Sequence, residues 1–120
     1  MAYSQDFLEF CLDQLDGLEG LVYKRMFGGV GLYAEGWFFG LIAEDRLYLK
    51  TDETNRPDFE KLGMGPFVPF ADKAYSMGYH EVAAEILEDS ETLFKWSKIA
   101  LEVAKRAGGK KKSKPIKTGA

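Results

Sequence analysis

The sequence predicts an α+β fold: an antiparallel meander sheet with an N-terminal helix, a middle helix and a long C-terminal helix. Apolar residues recur every three or four positions near both ends of the 120-residue chain, which is the spacing of an amphipathic helix. Between residues 21 and 50, aromatic and β-branched residues dominate with a shorter period, which is typical of strands. The joints between these strands are too short for a parallel crossover, so neighbouring strands are predicted to be antiparallel.

The N-terminal half divides into one helix and four strands. Ser4 is suited to cap a helix that runs to about Asp16, and Gly17 and Gly20 then end it. Four strand-like stretches follow, joined by short polar turns in which Gly36 is free to adopt a positive φ. In chain order the stretches are LVYKRMF, GVGLYA, WFFGLIA and RLYLK.

The C-terminal half begins with a short helix through Leu62, which Asp52 or Thr54 is expected to cap. GMGPFVPF then forms a loop that leads into a short strand, whose prolines suit a sheet edge, and MGYHEVA forms the last strand. Asp89 is a good N-cap for the final helix. Apolar side chains of that helix fall three or four positions apart at Leu93, Trp96, Ala100, Val103 and Ala107.

Glycines in the second strand match the G-x-G-x-x-A pattern of dinucleotide-binding loops, through Gly29, Gly31 and Ala34. That pattern holds a pyrophosphate only where the glycines join a strand to a helix, whose N-terminus binds the anion. Here the stretch EGWFFG follows, which is a turn and another strand. We therefore expect these glycines to permit twist, bulges or close packing in an antiparallel sheet.

Charge divides the chain into an acidic body and a basic tail. Seven of the 16 basic residues lie from Lys105 onward and nine lie before it, whereas all 19 acids lie before it, so the two parts carry net charges of +7 and −10. An acidic body repels nucleic acid at long range. We expect one domain over residues 1–107 and a disordered basic tail over residues 108–120, because the tail has too little apolar surface to offset ordering.

The sequence predicts a cytoplasmic location. Five acids lie within the first twenty residues, where a secretory signal needs a basic and then an apolar region. No apolar run approaches the roughly 20 residues of a membrane span. The single cysteine, Cys11, cannot form an internal disulfide, which fits a reducing compartment. Because Cys11 lies on the apolar stripe of the first helix, we expect it to be a small buried hydrophobe.

No group of side chains has the spacing that catalysis or metal binding demands, so we expect no enzyme, no cofactor and no metal site. His80 is the single histidine, and we expect it to be hydrogen-bonded at the surface or at a sheet edge. A cryptic small-molecule site would need a deep pocket that collects His80, Arg25 and a carboxylate. For Arg25 two interpretations stay open: an ion pair with a helix acid, or an anchor for an acidic partner.

The basic tail also has two interpretations. It is a solubilising end, or it binds DNA or RNA weakly through counterion release and without reading sequence. No aromatic residue is interleaved with the basic residues, which disfavours specific single-strand binding. The candidate nucleic-acid contacts are Lys110, Lys111, Lys112, Lys114 and Lys117.

Three segments resemble, in order and spacing, the N-terminal domain of the TfoX/Sxy competence regulators: RMFGGVGLYAEGWFFGLIAEDRLYLKTD, LGMGPFVPF and MGYHEVAAEILEDSETLFKWSKIALEVAK. The resemblance covers nearly all of residues 4–106, with a departure at Ala83, where the family often has proline. Its most specific marks are Arg25, Met26, Phe27, Gly28, Gly29, Gly63, Pro66, Phe67, Tyr79, Leu93, Trp96 and Ala100.

The resemblance implies a compact α+β domain of the secretion-chaperone-like class, whose members commonly pair, so a homodimer is one expectation. It also implies a regulatory module without catalytic residues. Full-length members act with the catabolite activator protein as transcriptional coactivators of DNA-uptake genes and carry a second domain that resembles helix-hairpin-helix modules. Since a basic tail stands in that place here, we expect a stand-alone N-terminal domain.

The contact surface for a protein partner is expected on an exposed face or edge of the sheet. Exposed aromatic side chains often mark such surfaces, and a nearby cation would suit an acidic partner. The candidate interaction residues are Arg25, Tyr33, Trp37, Phe39 and Tyr48.

Overall fold

The computed structural model describes residues 4–26, 29–65 and 78–108. It confirms the α+β class, with five antiparallel strands in one sheet in the order β1-β2-β3-β4-β5. The elements, in chain order, are α1 (Gln5–Gln14), β1 (Val22–Met26), β2 (Gly29–Ala34), β3 (Trp37–Ala43), β4 (Arg46–Lys50), α2 (Arg56–Lys61), β5 (Tyr79–Glu81), α3 (Ala84–Leu87) and α4 (Ser90–Gly108).

Two tight turns make β2, β3 and β4 a meander. Glu35 and Gly36 join β2 to β3 with φ of 55° and 85°, and Glu44 and Asp45 join β3 to β4 with φ of 53° and 57°. Two consecutive residues with positive φ are typical of the type I′ turn, whose twist matches that of the flanking strands. The positive φ predicted for Gly36 is therefore confirmed.

Side-chain caps begin the first and last helices as predicted. Ser4 Oγ accepts a hydrogen bond from the Phe7 backbone N–H at 3.1 Å. Asp89 Oδ1 accepts hydrogen bonds from the backbone N–H groups of Glu91 and Thr92 at 3.2 and 3.4 Å. Each bond satisfies a donor that the first helical turn leaves without an intrahelical partner.

The prediction that Asp52 or Thr54 caps the middle helix is wrong. Asn55 is the N-cap of α2 and makes no side-chain cap bond. Asp52 instead holds the preceding turn, since its Oδ1 accepts a hydrogen bond from the Thr54 backbone N–H at 2.8 Å. An Asp side chain competes well for a backbone donor two residues on, so it forms a turn here before the helix begins.

The buried stripe of α4 differs in part from the predicted one. Leu93, Ala100 and Val103 are buried as expected, but Ala107 is exposed because it lies beyond the last buried turn. Ser97, which the apolar pattern does not include, is fully buried. The four-residue helix α3 was also not predicted, since it is too short to produce a periodic signal.

The sheet has an inner face that the helices cover and an outer face on the opposite side. Directly paired residues share a face, so the pairs Val30–Ile42 and Leu49–His80 define the inner face. All four residues are buried. They belong to or adjoin one hydrophobic core with buried side chains of α1, its C-cap and α4, namely Leu8, Cys11, Leu15, Leu93, Ala100, Leu101 and Ala104.

Gly29 and Gly40 lie where strands pack too closely for a side chain. A Cβ at Gly29 would overlap the carbonyl oxygen of Ile42, and a Cβ at Gly40 would lie 2.9 Å from the carbonyl oxygen of Tyr48. Because β2 is followed by a turn and β3 rather than by a helix, the prediction of sheet glycines is confirmed.

Some predictions lie outside the described residues. These are the part of GMGPFVPF after Gly65 and the tail after Gly108, with its five candidate lysines at 110, 111, 112, 114 and 117. The last strand is present and is shorter than predicted, at Tyr79–Glu81. In the described ranges, no helix combines the length and apolar character that crossing a bilayer requires.

Candidate functional site

An aromatic row crosses the outer face of the sheet from β2 to β5. We define it by Tyr33, Phe38, Lys50 and Tyr79, one residue from each of four neighbouring strands. Strand register creates the row, since Tyr33 faces Phe38 across β2 and β3, and Lys50 faces Tyr79 across β4 and β5. All four side chains are half-buried.

The rings of the row contact one another in sequence. The Tyr33 and Phe38 ring centroids are 5.1 Å apart with planes inclined by 25°, and those of Phe38 and Tyr79 are 5.7 Å apart with planes inclined by 44°. Lys50 Nζ lies 4.8 Å from the centroid of the Tyr79 ring, in cation–π contact. These contacts hold each ring in place before any partner binds.

Burial shifts the pKa values of the two tyrosines and the lysine of the row. Burial raises the pKa of the Tyr33 hydroxyl, and burial followed by the proximity of Tyr33 raises the pKa of the Tyr79 hydroxyl. Burial lowers the pKa of the Lys50 ammonium, which the charge of Asp52 partly offsets. At neutral pH the two hydroxyls are therefore neutral groups that can donate hydrogen bonds beside apolar ring faces. Such a surface suits a protein contact.

Among the five predicted interaction residues, Tyr33 alone belongs to this row. Tyr48 lies on the outer face but is only 9% exposed, so it offers little contact area. Trp37 faces Ala34 and packs against the core on the inner side. Phe39 is 0% exposed, so its prediction as a contact residue is wrong.

A β-bulge explains the position of Phe39. Leu32 pairs with Gly40 and Tyr33 pairs with Phe38, so β3 has one extra residue at this point. The extra residue is Phe39, which is buried in the core, while Phe38 faces outward beside Tyr33.

Arg25 lies apart from the aromatic row. It is on β1 and faces Val30 of the inner-face set, and its guanidinium carbon is 5.8 Å from the centroid of the Tyr23 ring. The side chain is exposed at one edge of the sheet.

His80 is a hydrogen-bonded residue of the opposite edge strand and is buried rather than at the surface. Its Nδ1 lies 3.0 Å from Thr51 Oγ1, and its ring centroid lies 5.7 Å from that of Phe59. Burial is the main effect on the pKa of His80 and lowers it. The charge of Glu60 raises this pKa and the charge of Arg56 lowers it, both to a smaller degree.

The pocket that a cryptic small-molecule site would need, with His80 and Arg25 together, does not form. These residues are on β5 and β1, the two outermost strands of five, and strand spacing separates such strands by roughly 19 Å.

Cys11 is buried as predicted, and burial, with a smaller contribution from Asp45, raises the pKa of its thiol to about 12. It therefore lacks the thiolate character of a nucleophile.

The described part of the chain has a groove beside α1 and a small cleft beside α4. A groove of about 520 Å³ lies between α1 and β1, and a cleft of about 10 Å³ lies between α2 and α4. The groove is lined by Leu12, Asp16, Leu18, Leu21, Val22 and Tyr23. Within the ranges 4–26, 29–65 and 78–108, no three His, Cys, Asp or Glu side chains converge as metal ligands would.

Sequence reasoning missed Phe38, Lys50 and Tyr79 as members of the site. Strict alternation from buried Ile42 through Gly40 would place Phe38 on the inner face, and the bulge reverses this. For Lys50 and Tyr79 a signal exists, because each is adjacent to a buried residue, Leu49 or His80, in its strand. Their pairing across β4 and β5 depends on a register that the sequence does not reveal.

Comparison with known proteins gives one family. A family model described as the TfoX N-terminal domain matches residues 13–104 of the 120-residue chain. A search of curated proteins finds no match. The matched range includes the whole sheet and every residue of the aromatic row.

Proposed function

The chain belongs to the TfoX N-terminal domain family, and we propose that it is a non-enzymatic, regulatory protein-interaction module related to DNA-uptake competence. It acts in the bacterial cytoplasm on a protein of the transcription machinery, such as a catabolite activator-type protein. The aromatic row on the outer face is its contact surface, and this row is the observation that carries the proposal.

The geometry of the row supports a protein partner. Aromatic side chains dominate the binding energy of many interfaces, and here three rings lie in a line across four hydrogen-bonded strands. Because the rings already contact one another, a partner would order few side chains on binding, which lowers the entropic cost of association. Lys50 adds a positive charge that suits an acidic group of the partner.

Charge favours a protein over nucleic acid as the partner of this face. Residues 4–26, 29–65 and 78–108 contain 18 Asp and Glu and ten Lys and Arg, so their net charge is −8. Phosphate backbones are repelled by such a surface at long range. The basic tail supports the alternative, in which nucleic acid binds at Lys110–Lys117 rather than on the sheet.

A capture experiment separates the two functions. The full chain and a chain that ends at Gly108 are used as bait in host extract, each with and without nuclease. We expect a component of the transcription machinery on both baits after nuclease treatment. Capture that disappears with nuclease, or with removal of residues 109–120, would assign the function to nucleic acid binding by the tail instead.

A further inference from the structure

Strand β1 is an edge strand of the sheet that the structure describes. In the described part of the chain, β1 pairs with β2 alone, and Val22–Arg25 are all exposed. Val22 is 57% and Tyr23 40% exposed, which makes them two of the most exposed large hydrophobic residues described. An edge strand with open backbone donors and acceptors is a template for another strand.

We propose that the β1 edge pairs with the β1 edge of a second copy of this chain, antiparallel and about a twofold axis at Tyr23. This inference rests on the edge geometry and does not depend on the proposed regulatory function. The pairing would join two five-stranded sheets into one continuous sheet of ten strands.

Symmetry restricts the possible registers. Successive pairs of an antiparallel ladder alternate between hydrogen-bonded and non-hydrogen-bonded pairs, so a twofold axis must place one residue opposite its own copy. An axis at Lys24 or at Arg25 would put two like charges directly opposite each other, which is destabilising. An axis at Tyr23 avoids this, because it places Val22 opposite the partner's Lys24 and Leu21 opposite the partner's Arg25.

Charge complementarity favours this register. Asp16 lies in the groove with Leu21, Val22 and Tyr23, beside the first residues of β1. Arg25 lies near the other end of the strand, and Lys24 lies at its middle. Antiparallel pairing therefore brings the partner's Arg25, opposite Leu21, to the groove that holds Asp16, and the symmetric contact forms at the same time.

The sides of the sheet on which these side chains lie also agree with this contact. Tyr23 and Arg25 pair with the buried inner-face residues Leu32 and Val30, so their side chains are on the side of the sheet where α1 packs. Leu21 precedes them in the same alternation. The partner's Arg25 would thus lie on the side of the sheet where Asp16 lines the groove. The chain's own tail is a poor occupant, because its lysines have the same charge as Lys24 and Arg25.

Sedimentation equilibrium of the full chain, compared with variants whose charges are reversed, tests the pairing. We expect a dimer, at least tenfold weaker dimerisation in Arg25→Glu and in Asp16→Arg, and recovery in the double variant, since it restores opposite charges in reversed positions. Lys61→Glu, an exposed reversal on α2, is the matched control and leaves the dimer unchanged. A monomer at all concentrations up to about 1 mM, well above the range of specific dimers, would overturn the proposal.

Cross-linking gives a second readout that does not depend on charge. Residues directly opposite in an antiparallel pair have Cα atoms about 4.5–5.5 Å apart, within the range that a disulfide spans. Tyr23→Cys should therefore form a disulfide-linked dimer on mild oxidation. Val22→Cys faces the partner's Lys24 and should not. Equal cross-linking of the two variants, or of neither, contradicts the register.

Discussion

Ser97 is a polar residue in the middle of the apolar face of α4. Its side chain is fully buried, and no hydrogen-bond partner for Oγ occurs in the described part of the chain. A buried hydroxyl without a partner loses its hydration and gains nothing in return. The residue therefore reduces the free energy of unfolding rather than adding to it.

Replacement of Ser97 tests this reasoning. We expect Ser97→Ala to raise the free energy of unfolding by about 1 kcal/mol, because it removes an unsatisfied hydroxyl and improves helix propensity. Ser90→Ala, at an exposed position of the same helix, should change it by less than about 0.5 kcal/mol. Urea denaturation measures both. A loss of stability in Ser97→Ala would mean that the hydroxyl makes a stabilising contact.

His80 makes stability depend on pH. Burial lowers its pKa below the ordinary value of 6.5 in the folded state, so the unfolded chain binds a proton more readily than the folded chain. The stability that the neutral His80 contributes to the folded state is present in full above pH 6.5. It is lost as the pH falls from 6.5 through the lower pKa of the folded state. The pKa of His80 is lowered because its ring is buried beside Thr51 and Phe59, where the neutral form is favoured.

Denaturation of the wild type and of His80→Gln at pH 7.5 and pH 5.5 measures this effect. The free energy of unfolding should fall more for the wild type than for the variant over this interval, because the variant has no imidazole to protonate. The carboxylates, common to both proteins, cancel in the comparison. An equal fall in both proteins would show that His80 has the same pKa folded and unfolded.

Among the elements, β2 and β3 each need a glycine where neighbouring strands pack closely. Gly29→Ala should lower the free energy of unfolding by about 1–3 kcal/mol, because its Cβ would overlap the Ile42 carbonyl oxygen and the backbone would have to move. Gly65→Ala is the control: its Cβ would meet no atom of the described residues within 4 Å, so thermal unfolding should be nearly unchanged. A tolerated Gly29→Ala would contradict the packing of this strand pair.

The same elements explain how far sequence reasoning extends. Helix caps at Ser4 and Asp89 and the positive φ of Gly36 were predictable, because each depends on a residue's own chemistry and its near neighbours. The bulge at Phe39 was not, since it depends on the pairing of β3 with β2. That one extra residue turned an expected contact residue into a core residue and left Phe38 in the candidate site.

At the scale of the whole molecule, ion pairs connect the end of α4 to two turns. Lys105 Nζ lies 3.0 Å from a carboxylate oxygen of Glu35, and an Arg106 guanidinium nitrogen lies 3.2 Å from a carboxylate oxygen of Asp52. Exposed pairs of this kind contribute little stability. They hold Lys105 and Arg106, in the last turn of α4, beside the two turns.

Loss of one such pair should have a small effect. We expect Arg106→Ala to lower the free energy of unfolding by less than about 1 kcal/mol, because the pair is exposed and solvent screens it. Added salt should shrink the difference from the wild type further. Chemical denaturation at low and high ionic strength is the measurement, and a larger loss that persists in high salt would indicate a structural role for Arg106.

In the proposed function, the molecule binds a protein partner through the aromatic row. The most direct measurement compares nuclease-treated capture from host extract by the wild type, Tyr33→Ala and Ile99→Ala, with folding of each checked by circular dichroism. Ile99 is 46% exposed on α4, so it controls for the loss of an exposed apolar side chain outside the row. The proposal predicts that Tyr33→Ala loses the transcription-machinery component that the wild type and Ile99→Ala retain. Equal capture by all three proteins would contradict it.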